Sequence, residues 1–301
     1  DRRQRQMCIR DRINIFKQAA KITNYNIILA IPLIVFVKLL DLYSLYSRNT
    51  VDSTHELILA SVTVLFMSGA FFASWFYMVK EAIDLSKQVF VLDADRAKAT
   101  INLFKALPVG IGKYFLSFVG FYIILFFIQV FATPVVYLLG VNIIGGLDTE
   151  SMQNLQVIAM DPSITNQSMA AFIDKLAPEQ IIFFGKWSLL FMLITSIIMY
   201  LLMFWIPEII YKTPNPIVAL WRSVVKLFKD FFSSFRFFIS IWLMGFALLF
   251  LNTFAVINPL AYIIMNIILF YFTVFVVVAI FLYYDKKFVD MEAVDDESKE
   301  K

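Results

Sequence analysis

The sequence is short of the residues on which most enzyme chemistry depends. It holds one cysteine, Cys8, and one histidine, His55, so neither a disulfide framework nor a cysteine-rich metal centre can be assembled within the chain. His55 falls in a polar turn after the first apolar stretch, where a solvated side chain is expected rather than a metal ligand. Charged residues make up only 16% of the chain, against about 25% in a soluble domain, which leaves too few to cover a water-soluble fold. No Walker loop, dinucleotide-binding fingerprint, nucleophile elbow or zincin helix occurs. No cofactor and no metal are expected, and no reaction is indicated.

What is present is apolar. Hydrophobic residues account for 60% of the chain and the mean hydropathy is +0.77, while soluble domains lie near 45–50% apolar. Apolar stretches of about 20 residues recur, the length a helix needs to cross roughly 30 Å of hydrocarbon. Membrane-barrel strands would alternate apolar and polar residues over about 10 positions, but runs such as Phe270 to Phe281 are continuously apolar. The fold class predicted is an all-α polytopic transmembrane helix bundle.

Residues 2–12 stand apart. Arg2-Arg3-Gln4-Arg5-Gln6-Met7-Cys8-Ile9-Arg10-Asp11-Arg12 resembles the translation of a transposon-end oligonucleotide used to build sequencing libraries, and such scars are left out of fold reasoning. Setting aside residues 1–12 removes Arg2, Arg3, Arg5, Arg10 and Arg12 with Asp1 and Asp11, which cancels the net charge of +3. The basic balance that would have suggested a nucleic-acid partner disappears, and so does Cys8, the sole candidate thiolate.

The single membrane domain expected over 13–287 begins with an amphipathic lead, Ile13 to Asn24. Six spans follow at about 26–46, 57–79, 114–139, 181–206, 238–256 and 260–284. A charged segment from Lys80 to Lys113 joins the second span to the third. A long polar loop, 141–180, opens at Gly145-Gly146. Pro207 and Thr213-Pro214-Asn215-Pro216 end the fourth span, because proline cannot donate to the helical ladder. Asn215 is then an N-cap with Pro216 at the first helical position. From there to Arg236, polar residues at 222, 226, 229 and 233 face away from an apolar side, the pattern of an amphipathic helix. Asp285-Lys286-Lys287 mark the return to water, and 288–301 form a polar tail.

Cationic residues gather at cytoplasmic span ends. Lys17, Lys21, Lys80, Lys87, Arg96, Lys98, Lys105, Lys113, Lys212, Arg222, Lys226, Lys229, Arg236, Lys286 and Lys287 fall on one side of a six-span chain, while Arg48 and Lys175 fall on the other. The expectation is therefore N-in and C-in. A span, a basic amphipathic segment and a second span occur twice, at 57–139 and 181–256, with Leu103-Phe104-Lys105 matching Leu227-Phe228-Lys229. A parallel duplication and convergence on positive-inside elbows both account for this.

Ionisable or amide side chains inside spans are candidates for function, since a charge in hydrocarbon costs at least about 2.5–3.5 kcal/mol. Lys38, Asp41, Gln129, Lys186, Asn252 and Asn266 all fall in the outer half of their spans. They either line an outward-facing polar cavity or else snorkel and join neighbouring helices. Lys98, Lys105, Arg222, Lys226 and Lys229 are candidate contacts for anionic lipid headgroups, and a packed elbow is the alternative. Glu208, after Pro207, reads as an interfacial carboxylate. The aromatic residues, 17% of the chain, read as lipid-facing and core packing.

Pro216-Ile217-Val218-Ala219-Leu220-Trp221-Arg222-Ser223, followed by a lysine-containing stretch, two spans and Tyr283-Tyr284-Asp285-Lys286-Lys287, resembles a broad group of bacterial six-helix membrane proteins. That group includes the membrane domain attached to some glycerophosphodiester phosphodiesterases. The resemblance covers the last third of the chain and implies a bacterial inner-membrane protein, accessory to envelope or lipid processes; the catalytic barrel of those enzymes is absent. Three function classes stand at this point. They are a non-catalytic scaffold or accessory subunit with a membrane-protein partner or a second copy of itself, a transporter or channel, and a membrane-embedded enzyme drawing on Asp41, Glu208 or Lys186.

Overall fold

The computed structural model describes residues 2–51, 53–90, 92–146, 178–255 and 258–289, and among them every regular element is helical. The helices are α1 (Arg2–Tyr25), α2 (Ala30–Thr50), α3 (Thr54–Ser86), α4 (Asp93–Asn102), α5 (Ala106–Ile143), α6 (Pro178–Leu202), α7 (Trp205–Tyr211), α8 (Pro216–Lys229), α9 (Phe231–Ala255) and α10 (Pro259–Tyr284). Short 3-10 turns, Ile27–Leu29 and Leu103–Lys105, join α1 to α2 and α4 to α5, and a π-helical turn, Asp285–Val289, follows α10. Among the described residues six segments are long and apolar enough to cross a bilayer: Ile27–Ser47, Thr54–Ser86, Ala94–Ile143, Pro178–Tyr211, Phe231–Ala255 and Pro259–Val289. The chain is an all-α polytopic transmembrane bundle. Residues 147–177 of the expected polar loop and the tail from 290 lie outside the described residues.

Helix boundaries follow local chemistry. Asn215 Oδ1 accepts from the amides of Ile217 (3.0 Å) and Val218 (3.2 Å), and Asn258 Oδ1 from those of Leu260 (2.9 Å) and Ala261 (3.4 Å), each with proline at the first helical position. Ser53 and Glu56 form a capping box at the start of α3, a spacing legible in the sequence. Pro32 sits in the first turn of α2, where a missing N–H does no harm. Pro207 acts differently from expectation: it lies within the first turn of α7, and the break falls upstream at Met203 and Phe204. The proline ring excludes the carbonyl four residues earlier, that of Met203, so the helix gives way there.

The charged segment after the second span is also more helical than a connector. α3 runs on to Ser86 because Val79, Ala82 and Ile83 extend its buried stripe, and Lys80 pairs with Asp84 at 2.8 Å one turn on. Between α8 and α9 the amphipathic pattern is interrupted at Asp230, the C-cap of α8.

The described residues pack as two units, Asp1–Ile123 with Leu201–Lys301, and Ile124–Tyr200. In the second, the Tyr137 and Trp187 rings lie 6.2 Å apart, and Gly145 takes φ +116 just beyond α5, a conformation glycine adopts without strain. In the first, buried side chains concentrate at one end of the helices. They run from Ser68 to Ile83 on α3, cover most of α7, and run from Val274 to Tyr284 on α10, while Leu57, Ile58, Leu59, Leu260, Ile263 and Ile264 at the other end are exposed. Aromatic rings fill this core: Phe76 stacks on Phe118 (5.6 Å) and Phe281 (5.8 Å), Phe237 stacks on Tyr283 (4.5 Å), and Phe121 meets Trp205 at a tilt (4.3 Å). Along the six spans only 11–28% of each most apolar window is buried inside the chain, so most of that surface faces lipid. The packed end is the one that carries the cationic residues, and it is called the basic face below.

Backbones approach closely where α5 crosses α3. A Cβ at Gly110 would stand 2.7 Å from Ser74 Cα and 2.8 Å from the Ala73 carbonyl oxygen, whereas a Cβ at Gly112 meets nothing. Gly110→Ala should therefore destabilise the chain by about 1–3 kcal/mol through overpacking. Gly112→Ala, which only removes backbone freedom, should be neutral or stabilising by up to about 1 kcal/mol. Thermal unfolding of both variants in detergent, followed by tryptophan fluorescence, checks the contrast.

Candidate functional site

The run Tyr283-Tyr284-Asp285-Lys286-Lys287, expected to mark the return to water, is instead where the helices of the basic face are tied together. At the end of an apolar α10 and in the π-helical turn that follows it, five successive residues each present a polar group. Tyr283 donates from Oη to Asp230 Oδ2 (2.5 Å), with Ser233 Oγ 2.8 Å from the same hydroxyl. Tyr284 donates to Glu208. Asp285, 1% exposed, takes Lys87 Nζ at 2.6 Å. Lys286 donates to Gln18, and Lys287 reaches Asp230 Oδ1 at 3.2 Å. One short segment thus contacts α1, α3, α7, α9 and the α8–α9 junction. The π turn is itself packed, with the Phe288 ring 5.5 Å from that of Phe204.

Glu208 is the most deeply buried of these groups. It is 0% exposed, not interfacial as expected, because the upstream break in the fourth span folds α7 inward beneath α8. Trp205 Nε1 donates to the Pro216 carbonyl (2.7 Å), and the Tyr114 hydroxyl to the Ile210 carbonyl (2.9 Å), which fix α7 from both ends. Lys226 Nζ donates to Glu208 Oε2 (2.8 Å) and to Tyr284 Oη (2.7 Å). Its side chain is only 15% exposed, and the ammonium lies 4.9 Å from the Tyr284 ring centroid. Carboxylate, ammonium and phenol form a closed triangle, with the other oxygen, Oε1, buried and without a hydrogen-bond partner.

Two cavities flank this hub. One, of about 310 Å³, is lined by Glu208, Lys212, Trp221, Arg222, Lys226 and Lys229. The other, of about 590 Å³, lies among α1, the end of α3, α4 and the end of α10. Adjacent residues of one helix therefore serve different cavities: Tyr284 grips the wall of the first, and Asp285 lines the second.

The residues singled out from sequence are placed as follows. Lys38 and Asp41 form the expected pair at 3.0 Å, with side chains 68% and 57% exposed. Gln129 and Lys186 are exposed. Asn252 is half-buried with Oδ1 unpartnered, and Asn266 donates to the Tyr262 carbonyl (2.9 Å), a bond within its own helix. None of these six lines either cavity. Lys98, Lys105, Arg222 and Lys229 are exposed on the basic face, whereas Lys226 turns inward to Glu208. Sequence reasoning missed Asp230, Asp285, Lys87 and the two tyrosines as partners. The available signal was the unbroken polar run directly after an apolar span. Among the described residues no group of three or more His, Cys, Asp or Glu could hold a metal ion.

Removing one member of a buried ion pair costs about 3–5 kcal/mol, whereas replacing both by apolar residues of similar volume is often near neutral. E208Q and K226Q should each lower stability in detergent by an amount of that order. The double variant E208M/K226M should lose far less than their sum, and a double-mutant cycle on denaturation midpoints reads the coupling. Comparisons with family models, with curated proteins and with solved structures return no significant match for this chain.

Proposed function

We propose that this chain is a non-catalytic scaffold or accessory component of a bacterial inner membrane, with its basic face in the cytoplasm and engaged with anionic lipid headgroups. The observation that carries the reading is the disposition of α8. Ala219, Ser223 and Leu227 form a buried stripe that seats it on the bundle, while Trp221, 72% exposed, Ile217 and Phe228 point outward beside Arg222 and Lys229. Outward aromatics interleaved with cations are what an interfacial helix requires, with rings at the headgroup level and charges toward phosphate. Neither Arg222 nor Lys229 has a carboxylate partner among the described residues, so both charges are available. The buried ionisable groups, by contrast, are consumed in ties between helices, which leaves a framework rather than a reactive arrangement. The envelope or lipid setting rests on the resemblance of the last third of the chain to bacterial six-helix membrane proteins.

Each cation near an anionic surface contributes up to about 1 kcal/mol, or about fivefold in local lipid enrichment. In reconstituted bilayers, brominated phosphatidylglycerol should quench tryptophan more strongly than brominated phosphatidylcholine at equal mole fraction. W221F should abolish most of that difference and R222Q/K229Q should reduce it; equal quenching by the two lipids would reject the headgroup contact.

A scaffold also predicts an outcome at the other end of the bundle. In a C8S background, single cysteines at 129, 186 and 266 should resist an impermeant thiol reagent applied from outside, because these positions face lipid or neighbouring helices. Labelling of all three would favour a transporter with an outward-facing polar cavity instead.

A further inference from the structure

The larger cavity has a different character from the α8 surface and is independent of its reading as a headgroup contact. Four cations line it, Lys21, Lys87, Arg96 and Lys286, against a single carboxylate, Asp285. Lys87 is bound to that carboxylate at 2.6 Å. Lys286 donates to Gln18, a neutral amide. Lys21 and Arg96 have no carboxylate partner among the described residues. The walls therefore carry three positive charges in excess inside a space of about 590 Å³, within the range of small-molecule sites, about 300–1,000 Å³.

The cations are positioned by packing. Arg96 lies flat on the Tyr25 ring, its guanidinium carbon 3.4 Å from the centroid, and Lys21 Nζ lies 5.9 Å from the same centroid. A stacked guanidinium keeps its in-plane N–H groups directed sideways, where they can fork onto an oxyanion. α4 is held against the end of α1 by Thr100 Oγ1, 3.4 Å from Asn26 Oδ1, and Asn26 donates from Nδ2 to the Ile22 carbonyl (2.9 Å). Ser86, Gln18 and Gln88 add neutral polar groups to the lining. Lys87, Gln88 and Val89 at the end of α3 are exposed, so the mouth opens beyond the apolar segments.

We infer that this cavity binds a multiply charged phosphate-type anion, with Arg96 forking onto one phosphoryl group, Lys21 and Lys286 neutralising the remaining charge, and Lys87 held at the rim by its pairing with the buried Asp285. A monocarboxylate would leave two of the three excess charges unanswered, whereas a phosphate ester or pyrophosphate answers most of them. The same chemistry is offered by a soluble phosphorylated metabolite and by a lipid phosphomonoester headgroup, and two probes separate them.

The test uses the full chain in detergent at constant ionic strength, titrated by calorimetry with inorganic pyrophosphate and, separately, with dihexanoylphosphatidate below its micelle concentration. At least one probe should bind saturably. Pyrophosphate binding would indicate a soluble ligand, and binding of phosphatidate alone a lipid-borne one. K21Q/R96Q should weaken that binding at least tenfold with little change in probe-free Tm, while K113Q, an exposed cation that lines neither cavity, should change it less than twofold. If K21Q/R96Q does not fold, K21Q alone should still weaken binding at least threefold. The inference is overturned if neither probe binds above a chloride control, if the Lys21 and Arg96 variants bind like the native chain, or if an equal loss appears in K113Q. Because the α8 contact is read by lipid quenching at Trp221 and this site by soluble probes, either can fail while the other stands.

Discussion

The burial of Glu208 constrains everything around it. Moving a carboxylate into a membrane protein's interior costs several kcal/mol unless it is paired and hydrogen-bonded. Here one oxygen meets both an ammonium and a phenol drawn from helices far apart in sequence. The triangle closes only if α7, α8 and the end of α10 hold one relative position, so it specifies register even where its net contribution to stability is small. Helices in lipid have no hydrophobic drive to associate, and polar ties and close packing must choose among many similar apolar contacts. Glu208 and Asp230, bound to the five-residue run at the end of α10, and Asp285 within that run, bound to Lys87, supply that choice at the basic face.

The six spans and their helical character were legible because each span writes its own length and composition into a contiguous stretch. The two Asn-Pro starts were legible for the same reason, since cap and helix are neighbours. The polar hub was not. Lys226 and Glu208 are 18 residues apart and Tyr284 and Glu208 are 76 apart, and no helical or strand period links such positions. Glu208 looked interfacial because Pro207 was taken to end the span. In fact the break came four residues before the proline, at the carbonyl its ring displaces, and that shift carries the carboxylate inward. Asp285 and Lys286 looked solvated because charges after a span usually are.

Pairing divides the cations of the basic face in two. Lys226, Lys87 and Lys287 neutralise buried or half-buried carboxylates and cannot serve a ligand without exposing them. Lys98, Lys105, Arg222 and Lys229 point away from the bundle, and Lys21 and Arg96 flank Tyr25. The positive-inside count treats all of these alike, since it concerns only which side a loop occupies. A ligand at this face could draw only on the second group and on Lys286, whose partner is the neutral amide of Gln18, because a charge already paired in a desolvated site adds little to the field outside it.

The same asymmetry governs the outer half of the bundle. There several polar groups are satisfied within their own helix: Lys38 by Asp41 three residues on, Asn266 by the carbonyl one turn earlier, Thr63 by Leu59. Such local bonds remove the penalty of burial but tie no helix to another, and the Tyr43 hydroxyl, 3.5 Å from the Ala60 carbonyl, is a long bond between α2 and α3. At the basic face nearly every buried ionisable side chain reaches a different helix. A bundle locked at one end and bound mainly by dispersion at the other can change its outer packing with lipid while the face that presents Arg222, Lys229 and Arg96 keeps its geometry.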